Sequence, residues 1–305
     1  MSPGSPEGGS RPLVGVAWAV LAVFSASFIL ALPKASAGGL SPLQITLIRY
    51  ITGFATVAPL FLATRLRPAA PDTITPERGT FRLHILRAVL AVTRLTCIFY
   101  AVTHMPFANA QAITLTNSVF MIIFAVILLG ERVRPATMLA AAVCFVGAVI
   151  AAEPALDLHG FLSPGALAAL LGAALWGVEA MVIKYTAYRD GTLRILFVVN
   201  AAALCLIAIP GIAAWQPLTL TQWALLALIG PLAIFTQAAN IQAFRAADAN
   251  ILAPFRYVSV IFGLAIGWFA FGEWPSPLGL LGMTLIFAGG FALTISMSRS
   301  QRNAR

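Results

Sequence analysis

Ionisable side chains are costly inside hydrocarbon, so chemistry is to be sought where they interrupt long apolar runs. Arg94 sits near the middle of the run 82–103. Arg256 follows Pro254 in the run 250–271. Glu179 lies well inside the run 164–188, three residues after Trp176 and on the same helical face. A guanidinium in a dry cavity binds a carboxylate. A carboxylate there carries a proton, binds an amine, or neutralises an arginine. The residue types leave two readings open, a substrate site and a structural ion pair. Arg87, seven residues before Arg94 on the same face, is close enough to the end of its run to snorkel, as is Lys184. Arg49 reads as a structural pair in the second run.

Neutral polar residues form stripes beside these charges. Gln111, Thr114 and Ser118 stand at i, i+3 and i+7 with Asn117 alongside, and Gln237 and Asn240 stand at i, i+3. Interhelical hydrogen bonding and cavity lining both fit such stripes. Pro254 removes a backbone bond and can bend its helix towards a cavity. Tyr100, Phe235 and Tyr257 serve either to flank a planar substrate or to pack. Gly263 and Gly267 form a small-xxx-small pair suited to close helix packing. Cys97, Cys144 and Cys205 lie in apolar runs without ligand-type spacing, and His84, His104 and His159 do not cluster. No metal site, cofactor or disulfide framework is expected. HExxH, GxSxG and phosphate-binding glycine loops are absent, so an enzyme is not expected.

The elements that position these residues follow from composition. The chain is 60% hydrophobic and 10% charged over 305 residues. A soluble domain carries about 25% charged residues, so lipid must cover this one. A spanning helix needs roughly 20 apolar residues. Ten runs qualify: 13–33, 42–63, 82–103, 107–129, 136–152, 164–188, 193–213, 222–244, 250–271 and 278–297. Residues 1–12, rich in Gly, Ser and Pro, read as a disordered tail, and 298–305 as a second tail. Ala35-Ser36-Ala37 resembles a signal cleavage site, but the run before it is too long for a signal peptide. The net charge of +9 does not signal nucleic acid, because the basic residues sit between the runs. Arginines from Arg11 through Arg65, Arg132, Arg189 and Arg245 to Arg305 fall on one side, against Lys34 on the other. That bias marks the cytoplasmic side, and an even span count puts both termini there.

The chain repeats. Phe107 to Ala151 is echoed by Ala249 to Leu293. Gly130-Glu131 returns as Gly272-Glu273, with Pro135 and Pro277 four residues beyond the Glu and Gly147 and Gly289 twelve beyond the proline. Residues 13–152 and 164–297 therefore read as two five-helix halves, and an odd number of helices per half inverts the second. The two Gly-Glu pairs then mark opposite faces as helix ends.

The runs from Met105 to Val133 and from Ala246 to Glu273, together with Ala174-Leu175-Trp176-Gly177 and Lys184, resemble the EamA-type members of the drug/metabolite transporter superfamily. The position of Arg49 fits the second helix of such a repeat. Alignment on Lys34 and Lys184 sets Ser25-Ala26-Ser27 against Leu175-Trp176-Gly177, a departure at the aromatic position. The resemblance implies gradient-linked transport or facilitated export of small metabolites through a central cavity lined by spans 1, 3, 4, 6, 8 and 9.

The expectation is an all-α membrane protein of ten transmembrane helices in two inverted repeats, in the cell inner membrane. It exports a small polar metabolite by alternating access. An excess of arginines over glutamate favours an amino acid or related carboxylate, and a proton or another ion is a fitting coupling partner. Riboflavin or another planar vitamin is the alternative if the aromatic residues line the cavity. A non-transporting membrane assembly or sensor protein is the alternative of another class. Oligomeric state is open.

Overall fold

The computed structural model describes residues 12–36, 39–66, 80–117, 119–120, 123–124, 135–151, 163–187, 190–246 and 258–302. Among them are eleven helices: α1 Pro12–Ala35, α2 Pro42–Leu66, α3 Thr80–His104, α4 Phe107–Thr114, α5 Pro135–Ala151, α6 Pro164–Ala187, α7 Thr192–Ala213, α8 Leu220–Ala227, α9 Ile229–Ala246, α10 Val258–Phe271 and α11 Pro277–Arg302. Proline opens α1, α2, α5, α6 and α11, where its missing N–H costs nothing and its fixed φ suits the first turn. Three of these starts are Ser-Pro. The hydroxyls of Ser41, Ser163 and Ser276 accept from the N–H groups of Leu43, Ala166 and Gly279.

Two expected spans are interrupted. The run 222–244 is two helices, α8 and α9, with a turn at Leu228 just before Gly230-Pro231. Thr219 and Gln222 form a reciprocal cap at the start of α8. The run 107–129 breaks after α4. Leu115 and Thr116 bond to carbonyls three residues back, and the hydroxyls of Thr114 and Thr116 also bond carbonyls three residues back. Short polar side chains here compete with the α-ladder.

Six helices are long and apolar enough to cross a membrane, and α10 and parts of α5 and α11 are shorter apolar segments. Large apolar side chains face outward, among them Ile209, Phe269 and Leu139. Polar groups such as Gln44, Asn200 and Glu179 are buried instead. This outside-apolar, inside-polar arrangement suits lipid as the solvent. The described residues form an all-α membrane fold, in which α8 and α9 together make up one spanning segment.

Most of its closest pairings obey one rule. α3 packs on α6 while α1 packs on α9; α3 packs on α7 while α9 packs on α2; α1 packs on α10 while α4 packs on α6. Advancing every span by five converts each pairing into its partner. The pairs α2–α7, α4–α10 and α5–α11 convert into themselves. Such exchange is what two inverted repeats around a common axis produce.

Gly230 sets the closest of these approaches. A Cβ there would lie 2.3 Å from the backbone N of Gly53 and from Thr52 Oγ1. The start of α9 therefore touches the backbone of α2. Gly230→Ala is expected to cost about 1–3 kcal/mol through overpacking and to lower the thermal unfolding midpoint of detergent-purified protein. Gly165→Ala is the control, since its Cβ would meet Met105 at an ordinary 3.6 Å.

Candidate functional site

α3 and α6 run antiparallel and close together. A Cβ at Gly172 would fall 2.8 Å from Ile98 Cγ1, so glycine is what lets α6 sit this tightly on α3. Two turns further along α6, Glu179 is buried against α3. Arg94 Nε donates to Glu179 Oε2 at 2.7 Å. Arg87 Nε stands 3.7 Å from Glu179 Oε1, beyond hydrogen-bond reach, while its Nη2 donates to Gln237 Oε1 of α9 at 3.4 Å. The Arg94 guanidinium lies over the Trp176 ring, 4.5 Å from its centroid. One carboxylate thus serves two arginines, in a site drawing on α3, α6 and α9.

Arg49 of α2 borders the same region. Its Nη1 donates to Asn200 Oδ1 of α7 at 2.8 Å, and its guanidinium stacks 4.1 Å over the Tyr50 ring. Asn200 in turn donates to Leu196 O at 2.7 Å. Arg49 is within electrostatic reach of Arg87, Arg94 and Glu179.

A second polar zone joins α1, α4, α9 and α10. Gln111 Nε2 donates to Ser27 Oγ at 2.6 Å and to Ser259 O at 2.8 Å. Its Oε1 and the Ser259 hydroxyl are buried without a hydrogen-bond partner. Gly263 makes room, since a Cβ there would lie 3.1 Å from Gln111 Oε1. The hydroxyls of Ser25 and Thr236 meet at 2.7 Å. Asn240 Nδ2 donates to Thr236 O at 3.0 Å.

The remaining expected residues are dispersed. Asn117 is half-buried just past the break after α4. Tyr100 stacks on His104, with ring centroids 4.0 Å apart, at the far end of α3. There it lines a cavity of about 350 Å³ with Lys34, Ser41, Ile45 and Thr103. Phe235 is exposed on the apolar surface. Ser118, Arg256 and Tyr257 lie outside the described residues, as does Glu131.

Three positions behave differently from their reading in the sequence. Arg87 does not snorkel; only 7% of it is exposed, because Glu179 and Gln237 supply acceptors inside the bundle. His84 is buried, with Nε2 3.2 Å from Asp190, which also faces Arg194 at 3.6 Å. This trio ties the start of α3 to the α6–α7 turn. Lys34 is more than a lone loop charge. It pairs with Glu273 and donates to Met105 O at 3.0 Å, while Glu273 Oε2 accepts from Phe107 N at 2.9 Å. Gln44 exchanges two bonds with the Gln216 backbone, and Gln222 donates to Ser36 O. The helix ends on the Lys34 face are thereby stitched together across both halves.

Two inverted helical halves with a charged cluster buried between them are an architecture shared by many membrane transporters. The sequence profile of the EamA-like transporter family matches residues 13–152 and 163–295, and the chain belongs to that family. Pseudopaline exporter CntI of Pseudomonas aeruginosa (strain UCBPP-PA14) is 30% identical, covering 92% of this chain and 95% of its own. The riboflavin transporter of Rhizobium johnstonii (strain DSM 114642 / LMG 32736 / 3841) is 31% identical, covering 96% and 95%. The S-adenosylmethionine uptake transporter of Rickettsia bellii (strain RML369-C) is 24% identical, covering 90% of each. A solved crystal structure shares the fold with a TM-score of 0.62, at 20% identity, over 93% of this chain and 96% of its own.

Two outcomes follow from this geometry. Arg94→Ala leaves Glu179 buried beside Arg87 alone and is expected to cost about 3–5 kcal/mol; the double variant Arg94→Ala/Glu179→Gln costs less than the sum of the two single changes, as read by thermal unfolding in detergent. Lys34→Ala releases the stitched face. A cysteine placed at buried Ser36, with the native cysteines replaced, is expected to react several-fold faster with a membrane-impermeant maleimide than it does beside intact Lys34.

Proposed function

We propose that this transporter exports an amino acid or a related small carboxylate by alternating access. The observation that carries the reading is the Arg94–Glu179 pair, with Arg87 as a second guanidinium on the same carboxylate. Opposite charges in a dry interior hold each other when no ligand is present. A zwitterion offers each a replacement: its carboxylate takes Arg94, and its ammonium takes Glu179. Charge is exchanged without leaving any group unpaired, which keeps the desolvation penalty from rising as the ligand enters. Trp176 bounds the ligand on one side. Gln237 of α9 joins the site across the two halves, so a relative tilt of the halves reshapes it.

Alternation needs a closed end. The stitching around Lys34, Glu273, Gln44 and Gln222 closes one face, and its release opens that face in exchange for closure of the other. The arginine bias supports a topology with both termini in the cytoplasm and the chain in the inner membrane. The Lys34 face then looks outward. A fluorescent protein fused at the C-terminus is expected to glow, and alkaline phosphatase fused there to stay inactive; the reverse pattern would invert the topology.

A second reading has its own support. Trp176 offers a ring face beside the charges, and among the relatives are riboflavin transporters. A planar vitamin would stack there. Counterflow in proteoliposomes decides. Saturable exchange of an amino acid or organic acid, lost in Arg94→Lys, is expected. Exchange of riboflavin that amino acids do not compete with would shift the assignment to the planar vitamin, and no saturable flux of any carboxylate would sink the first reading.

A further inference from the structure

The charge balance of the cluster is uneven. Around the Glu179 carboxylate stand Arg87 and Arg94, and no other acidic side chain pairs with either arginine among the described residues. The carboxylate is committed to Arg94 at 2.7 Å. Arg87 has only the loose 3.7 Å approach, and its Nε is a buried donor with no hydrogen-bond acceptor. Among the described residues its one hydrogen bond is a long 3.4 Å contact to the neutral Gln237 amide. Arg49 adds a further positive charge within reach, held by neutral groups alone. An arginine stays protonated under all these conditions. The three-group core of Arg87, Arg94 and Glu179 therefore carries one positive charge in excess.

A neutral zwitterion does not relieve this. It exchanges one carboxylate for another on Arg94 and leaves Arg87 as it was. A ligand with a second anionic group does relieve it. We propose that Arg87 is a specificity-determining residue that receives a second carboxylate, so that the preferred cargo is an acidic amino acid or another small dicarboxylate of net negative charge. The inference rests on the amino-acid or carboxylate reading above and narrows it. Arg94 and Glu179 hold the carboxylate and amine of the common part. Arg87, presented from one turn-pair away on α3 and braced by Gln237 of α9, holds the group that distinguishes one cargo from another. A planar fork that offers two parallel donors suits a carboxylate better than any neutral amide.

The test uses pairs of compounds that differ by one charge at nearly constant shape. Full-length protein in proteoliposomes is assayed for counterflow of glutamate against glutamine, and of succinate against its monoamide. The expected result is at least tenfold higher kcat/KM for the diacid in one pair or both. In Arg87→Gln the ratio is expected to fall towards one, chiefly through the diacid, whereas Arg87→Lys retains most of the preference. Monodisperse elution in detergent certifies each variant. If Arg87→Gln does not assemble, the wild-type ratio and Arg87→Lys decide alone. Equal or better transport of the monoamides by the wild type, or a ratio that Arg87→Gln leaves untouched, would overturn the role of Arg87 while the carboxylate reading stands. Transport of neither member of either pair, nor of any other carboxylate, would overturn both.

Discussion

A guanidinium in hydrocarbon must find an acceptor inside the protein, and much of this structure follows from that requirement. Arg87, buried, and Arg94, partly buried, sit on one face of α3, two turns apart and well inside a spanning helix. Their acceptor has to come from another helix, and Glu179 of α6 supplies it. For Glu179 to arrive, α6 must lie against α3, and Gly172 removes the side chain that would hold them apart. The electrostatic need thus dictates small residues at a distance from the charges. The same logic operates at Arg49, whose acceptor Asn200 comes from α7 and whose neighbour Gly53 leaves room for it.

The inverted repeat explains why the cluster lies where it does. Exchange by five spans pairs the α3–α6 contact with the α1–α9 contact. The two contacts have the same architecture and opposite chemistry. Arginines and a glutamate fill the first, while Ser25 and Thr236 fill the second. Gln111, Ser27 and Ser259 extend the neutral side. A ligand held between the halves would meet charge on one flank and hydroxyls and amides on the other. Symmetry of the backbone with asymmetry of the side chains gives a polar gradient across the scaffold.

Much of the architecture was legible in the sequence, because spans are written in consecutive residues. Apolar run length, the Ser-Pro starts and the Gly-Glu echo are all local signals. The site was legible in part. The costliness of burial singled out Arg94, Glu179 and Trp176, and these three do meet. Arg87 was harder. Its distance from the helix end suggested an escape to water, and only the acceptors on α6 and α9, more than eighty residues away in the chain, keep it inside. Tyr100 lies further along α3, at the Lys34 face, where it lines a cavity apart from the charged cluster. Periodicity assigns a residue to a helix face but not to a depth shared with another helix. The break after Thr114 depends on short-range competition for carbonyls, and that at Leu228 stands just before Gly230-Pro231, where proline lacks an N–H; a hydropathy run records neither.

The bonds that stitch the Lys34 face have an uneven grammar. Apart from the Lys34–Glu273 ion pair itself, each cross-link named there runs from a side chain to a main-chain atom: Lys34 to Met105 O, Glu273 to Phe107 N, Gln44 to both backbone atoms of Gln216, and Gln222 to Ser36 O. The identity of the residue that supplies the side chain matters, whereas the other offers only its peptide group, which nearly every amino acid has. Half of each contact is therefore written in the sequence and half in the chain path alone. The segments that offer only their peptide groups are free to change their side chains, and so the surface they present, without loosening these contacts.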